Sequence, residues 1–294
     1  MKLDVSVILC SHNRAESLER TLESLSRLQI QESLSWELIL VLNGARDHSS
    51  IVAEKFSGKL PLQCYHLKVA GLSVARNHAI QAARGRLLLF TDDDVEVDPL
   101  WVHSLWSAHL RYPQAHYFGG MIEPYLDKNM SMDISRFSES LFDGLLLRKN
   151  LGSQERALNP GETFFGANMA FLYEVFHWFQ FRAELGRVGT RLLSGEETEL
   201  IQQCQERNWI GIWIPDAKIK HWIGRERLSI PYILTYFWGL GTSLARMEKK
   251  DPPRYPPLKF KTGELTHTLA SAVLFFSYCF ERSRLKVQEV FIRK

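Results

Sequence analysis

The stretch Leu87-Leu88-Leu89-Phe90-Thr91-Asp92-Asp93-Asp94 runs four apolar residues almost directly into three adjacent carboxylates. Like charges this close repel one another and need a counter-charge, and oxygen ligands suit a hard divalent cation such as Mg²⁺ or Mn²⁺. The competing reading is a solvated acidic turn before the next helix, for which Asp98-Pro99 supplies a cap and a first turn. A short apolar run that follows Gly85 reads as a buried strand. Such a strand delivers Asp92, Asp93 and Asp94 to the carboxyl edge of a sheet, where open α/β sheets hold their ligands.

Two other strand ends point to the same edge. Val5–Cys10 leads into Ser11-His12-Asn13-Arg14, and Trp36–Leu42 leads into Asn43-Gly44 and on to Asp47. Loops converging in this way suit a nucleotide, with base and ribose over the early loops and a diphosphate beside the cation. Neither a G-x-G-x-x-G turn nor a G-K-[ST] loop follows the first strand, which argues against a dinucleotide fold and a P-loop NTPase. Arg14 and Arg76 are then the basic side chains available to phosphates. For Arg76, a surface helix charge is an equal alternative.

The elements that position these groups alternate. Helices are expected over Glu16–Leu28, Ser50–Phe56, from Ser73 (a possible cap) to Gly85, and over Pro99–Leu110; a further strand is expected at Leu62–Leu67. This β-α-β-α order predicts a mostly parallel sheet. Beyond Pro113 the pattern loosens. His116–Ile122 reads as a strand and Met130–Arg148 as a mixed or helical excursion. A helix is expected from Ser194 through Arg207, then two short strands at Ile210–Ile214 and Ala217–His221. From Ser229 the chain turns helical, Asp251–Lys261 is a stiff basic connector, and Leu265–Phe280 is a final apolar helix.

Composition sets outer bounds. At 294 residues, with 45% hydrophobic and 23% charged residues, this is an ordinary globular chain. A formal net charge of +3 does not argue for nucleic acid. Cys10, Cys64, Cys204 and Cys279 stand far apart without a CxxC pair, so neither zinc nor disulfides are expected and a reducing compartment fits. No signal peptide is read at the N-terminus, and no apolar run reaches the roughly 20 residues that span a bilayer.

In its motifs the chain resembles a family 2 glycosyltransferase of the GT-A fold. The likeness rests on Ser6-Val7-Ile8-Leu9-Cys10-Ser11-His12-Asn13-Arg14, Gly71-Leu72-Ser73-Val74-Ala75-Arg76-Asn77, Ala83-Arg84-Gly85 and Phe90-Thr91-Asp92-Asp93-Asp94. It continues with Gly166-Ala167-Asn168-Met169-Ala170, Gly195-Glu196-Glu197-Thr198-Glu199-Leu200 and Pro215-Asp216-Ala217-Lys218-Ile219-Lys220-His221, in the family's order over roughly residues 3 to 245.

The resemblance implies a three-layer α/β/α sandwich with a mostly parallel sheet and a helical C-terminal extension. It implies a GT-A domain over 1–228 (a nucleotide-binding half, 1–113, and an acceptor half, 114–228) and an extension over 229–294. It further implies an inverting transfer from a nucleotide-diphosphate sugar to an acceptor hydroxyl, in polysaccharide or glycolipid synthesis, with Mn²⁺ or Mg²⁺. Ser11, Asn13, Arg14, Asn43, Arg76, Asp92, Asp93 and Asn168 would bind the nucleotide sugar, and Asp94, Asp92 and His221 the metal. Val41-Leu42-Asn43-Gly44-Ala45-Arg46-Asp47 departs from the family's pattern at Leu42 and Ala45-Arg46, which bears on the identity of the base. Glu197 would be the catalytic base, with Glu196 as its alternative. Ser194 and Glu197 equally spell a capping box, Asn168 equally a turn, and a lone His equally a structural one.

The competing functions are a nucleotidyltransferase and a non-catalytic nucleotide-binding or membrane-associated scaffold. The expected partners are the donor and a glycan or lipid-linked acceptor, with no nucleic acid. The last helix, flanked by Lys259, Lys261, Arg282, Arg284 and Lys286, would touch a membrane surface, dimerise or pack internally. A cytoplasmic protein, peripheral at the inner face of the membrane, is the corresponding location.

Overall fold

The computed structural model describes residues 3–126, 142–189, 192–248 and 265–292. Its elements in order are β1 (Leu3–Ser11), α1 (Ala15–Leu25), β2 (Trp36–Asn43), α2 (Ser49–Phe56), β3 (Leu62–Leu67), α3 (Leu72–Ala82), β4 (Gly85–Asp92), β5 (Val95–Val97), α4 (Trp101–Arg111) and β6 (Ala115–Leu126). They continue with α5 (Asp143–Leu146), β7 (Arg156–Ala157), β8 (Met169–Leu172), α6 (Glu196–Glu206), β9 (Ile210–Ile223), α7 (Ile230–Met247) and α8 (Leu265–Ile292). Most of the Met130–Arg148 excursion and the whole Asp251–Lys261 connector lie outside the described residues.

One sheet runs in the order β3-β2-β1-β4-β8-β6-β9-β5, with β7 on β9. β3, β2, β1 and β4 are mutually parallel, β8 runs against them, and β6 and β9 again pair in parallel. This is the expected α/β architecture with a central, mostly parallel sheet. Successive β1 side chains point to opposite faces, yet every residue from Val5 to Ser11 is buried. Both faces of β1 are therefore covered, which explains its continuous apolar run.

The start of β4 is pinned by a buried carboxylate. Glu37 Oε1 accepts from Ser6 Oγ and Arg84 N (both 2.7 Å), and Oε2 accepts from the Arg84 guanidinium and from Gln63 Nε2. Gly85 N donates to Ser6 Oγ at 2.8 Å, and a Cβ there would lie 2.3 Å from Ser6 N. Ala83-Arg84-Gly85 thus sets the register that aims Asp92–Asp94 at the sheet edge.

Several expectations change. Ser73 does not cap α3: Gly71 holds that position, and Ser73 Oγ is buried without a partner against Gly186. Asp98 does serve the start of α4, accepting from Leu100 N at 2.8 Å. The two short strands at Ile210–Ile214 and Ala217–His221 are a single strand, β9. Its pairing with β6 jumps from Gly120↔Ile214 to Ile122↔Ile219, so Pro215–Lys218 bulges instead of ending the strand.

α7 and α8 pack as a hairpin. A Cβ on Gly241 would meet Leu274 O at 2.3 Å, Ser277 Oγ donates to Trp238 O at 2.6 Å, and Arg246 Nε donates to Glu281 Oε1 at 2.9 Å. The buried stripe of α8 includes Ala270, Leu274, Ser277 and Tyr278, while Leu269, Phe276 and Phe280 face outward. The helix runs past the expected Phe280 to Ile292. Among the described residues, no helix is long and apolar enough to cross a membrane.

Replacing Gly85 by Ala forces a backbone shift at the β1–β4 junction and is expected to cost about 1–3 kcal/mol. Urea unfolding measures this; an unchanged midpoint would contradict the close approach of the two strands.

Candidate active site

The carboxyl ends of β1, β2 and β4 open on a cavity of about 290 Å³, closed on the far side by α7 and by the segment that enters α6. Because Leu87–Phe90 are fully buried, the carboxylates are the first residues of this segment to reach the cavity. Asp93 accepts from Ser11 Oγ at 2.7 Å and from Arg14 Nη1 at 3.1 Å; the same Arg14 nitrogen donates to Asp94 Oδ2 at 2.7 Å. Burial, together with neighbouring Asp94, outweighs Arg14 and pushes Asp93 up to about 6. Burial would raise Asp94 too, but His221, Arg14 and Arg227 hold it well below the carboxylate range.

His221 is buried and faces Asp94 because the short strand β5 pairs Val95 with His221 and Trp222 N donates to Asp94 O at 2.9 Å. Its Nδ1 lies 3.0 Å from Trp222 O, an acceptor only, so Nδ1 carries the proton. Nε2 lies 2.9 Å from Asp94 Oδ1 and has no other hydrogen-bond partner. A buried ring nitrogen this close to a carboxylate oxygen is satisfied by a proton held between them or by a cation that both atoms share. One ligand atom each from Asp92, Asp94 and His221 lie within 4.8 Å of one another, and this nitrogen-and-carboxylate set fits Mn²⁺ or Mg²⁺.

Arg76 is only 2% exposed, which removes the reading as a surface charge. Its Nη1 donates to Glu196 Oε1 at 2.8 Å and its Nη2 to Asp92 Oδ1 at 3.2 Å. The guanidinium lies over the Phe181 ring, and Asn77 clamps Phe181 through both its backbone N–H and C=O. Gly166 leaves room for it, since a Cβ there would stand 2.4 Å from Nη2.

Glu196 and Glu197 open α6. The capping box is not formed: Gly195, at φ +126°, is the cap, the first helical residue is Glu196, and Ser194 N instead donates to Ser243 Oγ of α7. Glu197 is therefore not engaged in capping, and its Oε2 is buried without a partner. Burial and the Glu197 charge push Glu196 up to about 8 against the pull of Arg76.

Ser11, Arg14, Asn43, Arg76, Asp92, Asp93, Asp94, Glu196 and Glu197 line the cavity, Asn43 accepting from Gly71 N through Oδ1. Asn13, Asn168 and His221 do not, His221 lying fully buried behind Asp94. Asn13 sits at φ +52°, where its Oδ1 accepts from Arg46 N and ties two loops together. Asn168 is 0% exposed; it donates to Met121 O and Ala217 O and accepts from Trp101 Nε1 at 2.8 Å. It closes the turn that starts at Phe165, its N–H donating to Phe165 O at 3.0 Å, and it is not a cavity residue but the knot that joins β6, the β9 bulge and α4.

Sequence reasoning missed His12, Arg187, Arg227 and the α7 wall of Tyr236, Leu240, Leu244 and Met247. Arg227 Nη2 lies 3.5 Å from Asp94 Oδ2. The basic run Arg225-Glu226-Arg227, just after the strand that carries His221, was the available signal.

Fold and cavity define an α/β protein with a site at the carboxyl edge of its parallel strands. The pattern of Glycosyl transferase family 2 matches residues 6–176, and the chain belongs to that family. It is 29% identical over 107 residues to a cholesterol galactosyltransferase of Borreliella burgdorferi, and 31% over 108 residues to a dodecaprenyl-phosphate galacturonate synthase of Rhizobium johnstonii. Each match covers 36% of this chain, but only 29% and 32% of those relatives. Among solved structures, the mannosyltransferase PcManGT from Pyrobaculum calidifontis, in complex with GDP-Man and Mn²⁺, shares the fold at a TM-score of 0.63 and 14% identity, covering 99% of this chain and 76% of its own.

Truncating Asn168 to Ala leaves the Trp101 indole N–H and two buried carbonyls without this partner, an expected loss of roughly 3 kcal/mol or more. Urea unfolding reads it; wild-type stability in the variant would contradict the structural role.

Proposed function

We propose that this chain is a metal-dependent, inverting glycosyltransferase that moves a sugar from a nucleoside-diphosphate sugar to an acceptor hydroxyl in polysaccharide or glycolipid synthesis. The observation that carries the reading is the meeting of two features in one cavity. These are the carboxylates of Asp92 and Asp94, backed by His221, and, beyond Arg76, Glu197, whose buried Oε2 has no hydrogen-bond partner. The bound PcManGT complex and the names of the relatives support donor and reaction class.

In this reading Asp94, Asp92 and His221 hold the cation, which when bound supplies Lewis-acid stabilisation of the diphosphate. Asn43 faces the donor base, Asp92 and Asp93 the ribose side, and Arg14 and Arg76 the phosphates. Glu197 takes the proton of the acceptor hydroxyl. The acceptor oxygen bonds to the anomeric carbon as the bond to the diphosphate breaks on the opposite face, so the configuration inverts. Glu196 is the weaker candidate base, since its carboxylate is bound by Arg76. Residues 1–113 then form the donor half, 114–228 the acceptor half and 229–294 a helical extension whose first helix walls the site.

Thermal shift with UDP- and GDP-sugars tests the donor site. Stabilisation is expected with Mn²⁺ and not without it, and Glu197→Gln should keep that shift while losing about 10²–10⁴-fold in transfer. No stabilisation by any donor, or full turnover in Glu197→Gln, would contradict the assignment. The exposed Leu269, Phe276 (65% exposed) and Phe280 (61%) of α8, with Trp238 of α7 against Phe280, further suit contact with a membrane surface. Flotation with anionic vesicles should be lost in Phe276→Ser/Phe280→Ser; equal flotation of the variant would discount this face.

A further inference from the structure

Four arginines line the cavity, and three are committed: Arg14 to Asp93 and Asp94, Arg76 to Asp92 and Glu196, Arg227 to Asp94. The fourth, Arg187, takes no side-chain hydrogen bond or ion pair among the described residues, although its backbone is fixed. Leu72 N donates to Arg187 O at 3.0 Å, and neighbouring Gly186 packs so closely on Ser73 that a Cβ there would stand 2.2 Å from Ser73 Oγ. Its charge acts on Glu196 and Tyr236, which stand on the α6–α7 side of the cavity.

Next to the polar residues at the start of α6, that side carries an apolar wall. Leu193, Leu240, Leu244 and Met247 line it, the last three on one stripe of α7 at helical spacing. α7 is held against the entrance to α6: Ser194 N bonds Ser243 Oγ, a Cβ on Gly239 would meet Leu192 O at 2.1 Å, and a Cβ on Gly195 would meet Met247 Sδ at 3.0 Å. The apolar stripe therefore abuts the residues that carry Glu196 and Glu197. A half-buried guanidinium without an internal partner is completed by an anion, and an apolar wall by hydrocarbon.

We propose that Arg187 and the Leu193–Leu240–Leu244–Met247 wall form the acceptor subsite, and that the acceptor is an amphiphile carrying a phosphate or carboxylate next to a hydrocarbon segment. Calling the ligand an acceptor rests on the transferase reading above. The existence of an anionic-amphiphile site does not.

Calorimetric titration of the full chain with octyl phosphate, octyl glucuronide and octyl glucoside, each below its micelle concentration, tests this without any donor. At least one charged probe should bind about tenfold or more tightly than the neutral glucoside, the effect of one charge-assisted contact. The tighter of the two identifies phosphate or carboxylate. Arg187→Ala should abolish the preference, Arg187→Lys should keep part of it, and Leu244→Gln should weaken all three probes together. Equal binding of charged and neutral probes, or a preference that survives in Arg187→Ala, overturns the proposal. So does a matching loss of nucleoside diphosphate affinity in Arg187→Ala, which would move Arg187 to the donor side. Failure of the donor thermal shift with retained charged-probe binding would overturn the transferase reading alone.

Discussion

The site depends on compensating buried charge. Asp92, Asp93, Asp94, Glu196 and Glu197 share one cavity, and Arg76, almost without solvent, bridges the end of β4 to the start of α6. A lone buried charge is costly, and removing one partner of such a pair costs about 3–5 kcal/mol. Arg76 therefore holds two distant parts of the chain in a fixed relation. Its surroundings keep it in that position, since Gly166 leaves it space, Phe181 underlies it and Asn77 fixes Phe181. Beside these arginines, His221 Nε2 and Asp94 Oδ1 stand 2.9 Å apart, close enough to share a cation.

The second constraint is the placement of α7. This helix is apolar on more than one face: Ile233 and Phe237 pack in a second core with Phe142, Leu146 and Leu274, while Leu240 and Leu244 reach the cavity. Its glycines let it approach the 192–195 segment and α8 more closely than a side chain would allow. The C-terminal helices are thus part of the site's wall, and the carboxylates of α6 keep their positions through a contact made roughly fifty residues later in the chain.

What could be read from the sequence follows from locality. The apolar run at Leu87 and the carboxylates behind it lie within one segment, so strand, edge and cluster were all legible there. The parallel order of β1 to β4 was legible for the same reason, since each repeats one strand-and-helix unit. Asn168 was not, because its partners Trp101, Met121 and Ala217 come from three separate segments. The Ser194 cap failed because Ser243 competes for the same stretch, and Gly195 can adopt the left-handed conformation that starts the helix one residue later. Arg227 had only the weak signal of a short basic run and Arg187 none; only the tertiary fold tells a free guanidinium from a paired one. Pro215 read as a strand end because a bulge and a break look alike without the partner strand.

The central claim is that Asp92, Asp94 and His221 hold one cation. Diffraction from crystals grown with Mn²⁺ and a nucleoside diphosphate, recorded at an energy where manganese scatters anomalously, locates that ion directly. The account predicts one strong anomalous peak in coordinating contact with His221 Nε2 and a carboxylate oxygen of Asp94, lost in His221→Ala. A peak away from these atoms, or nucleotide bound in full without any peak, would contradict it.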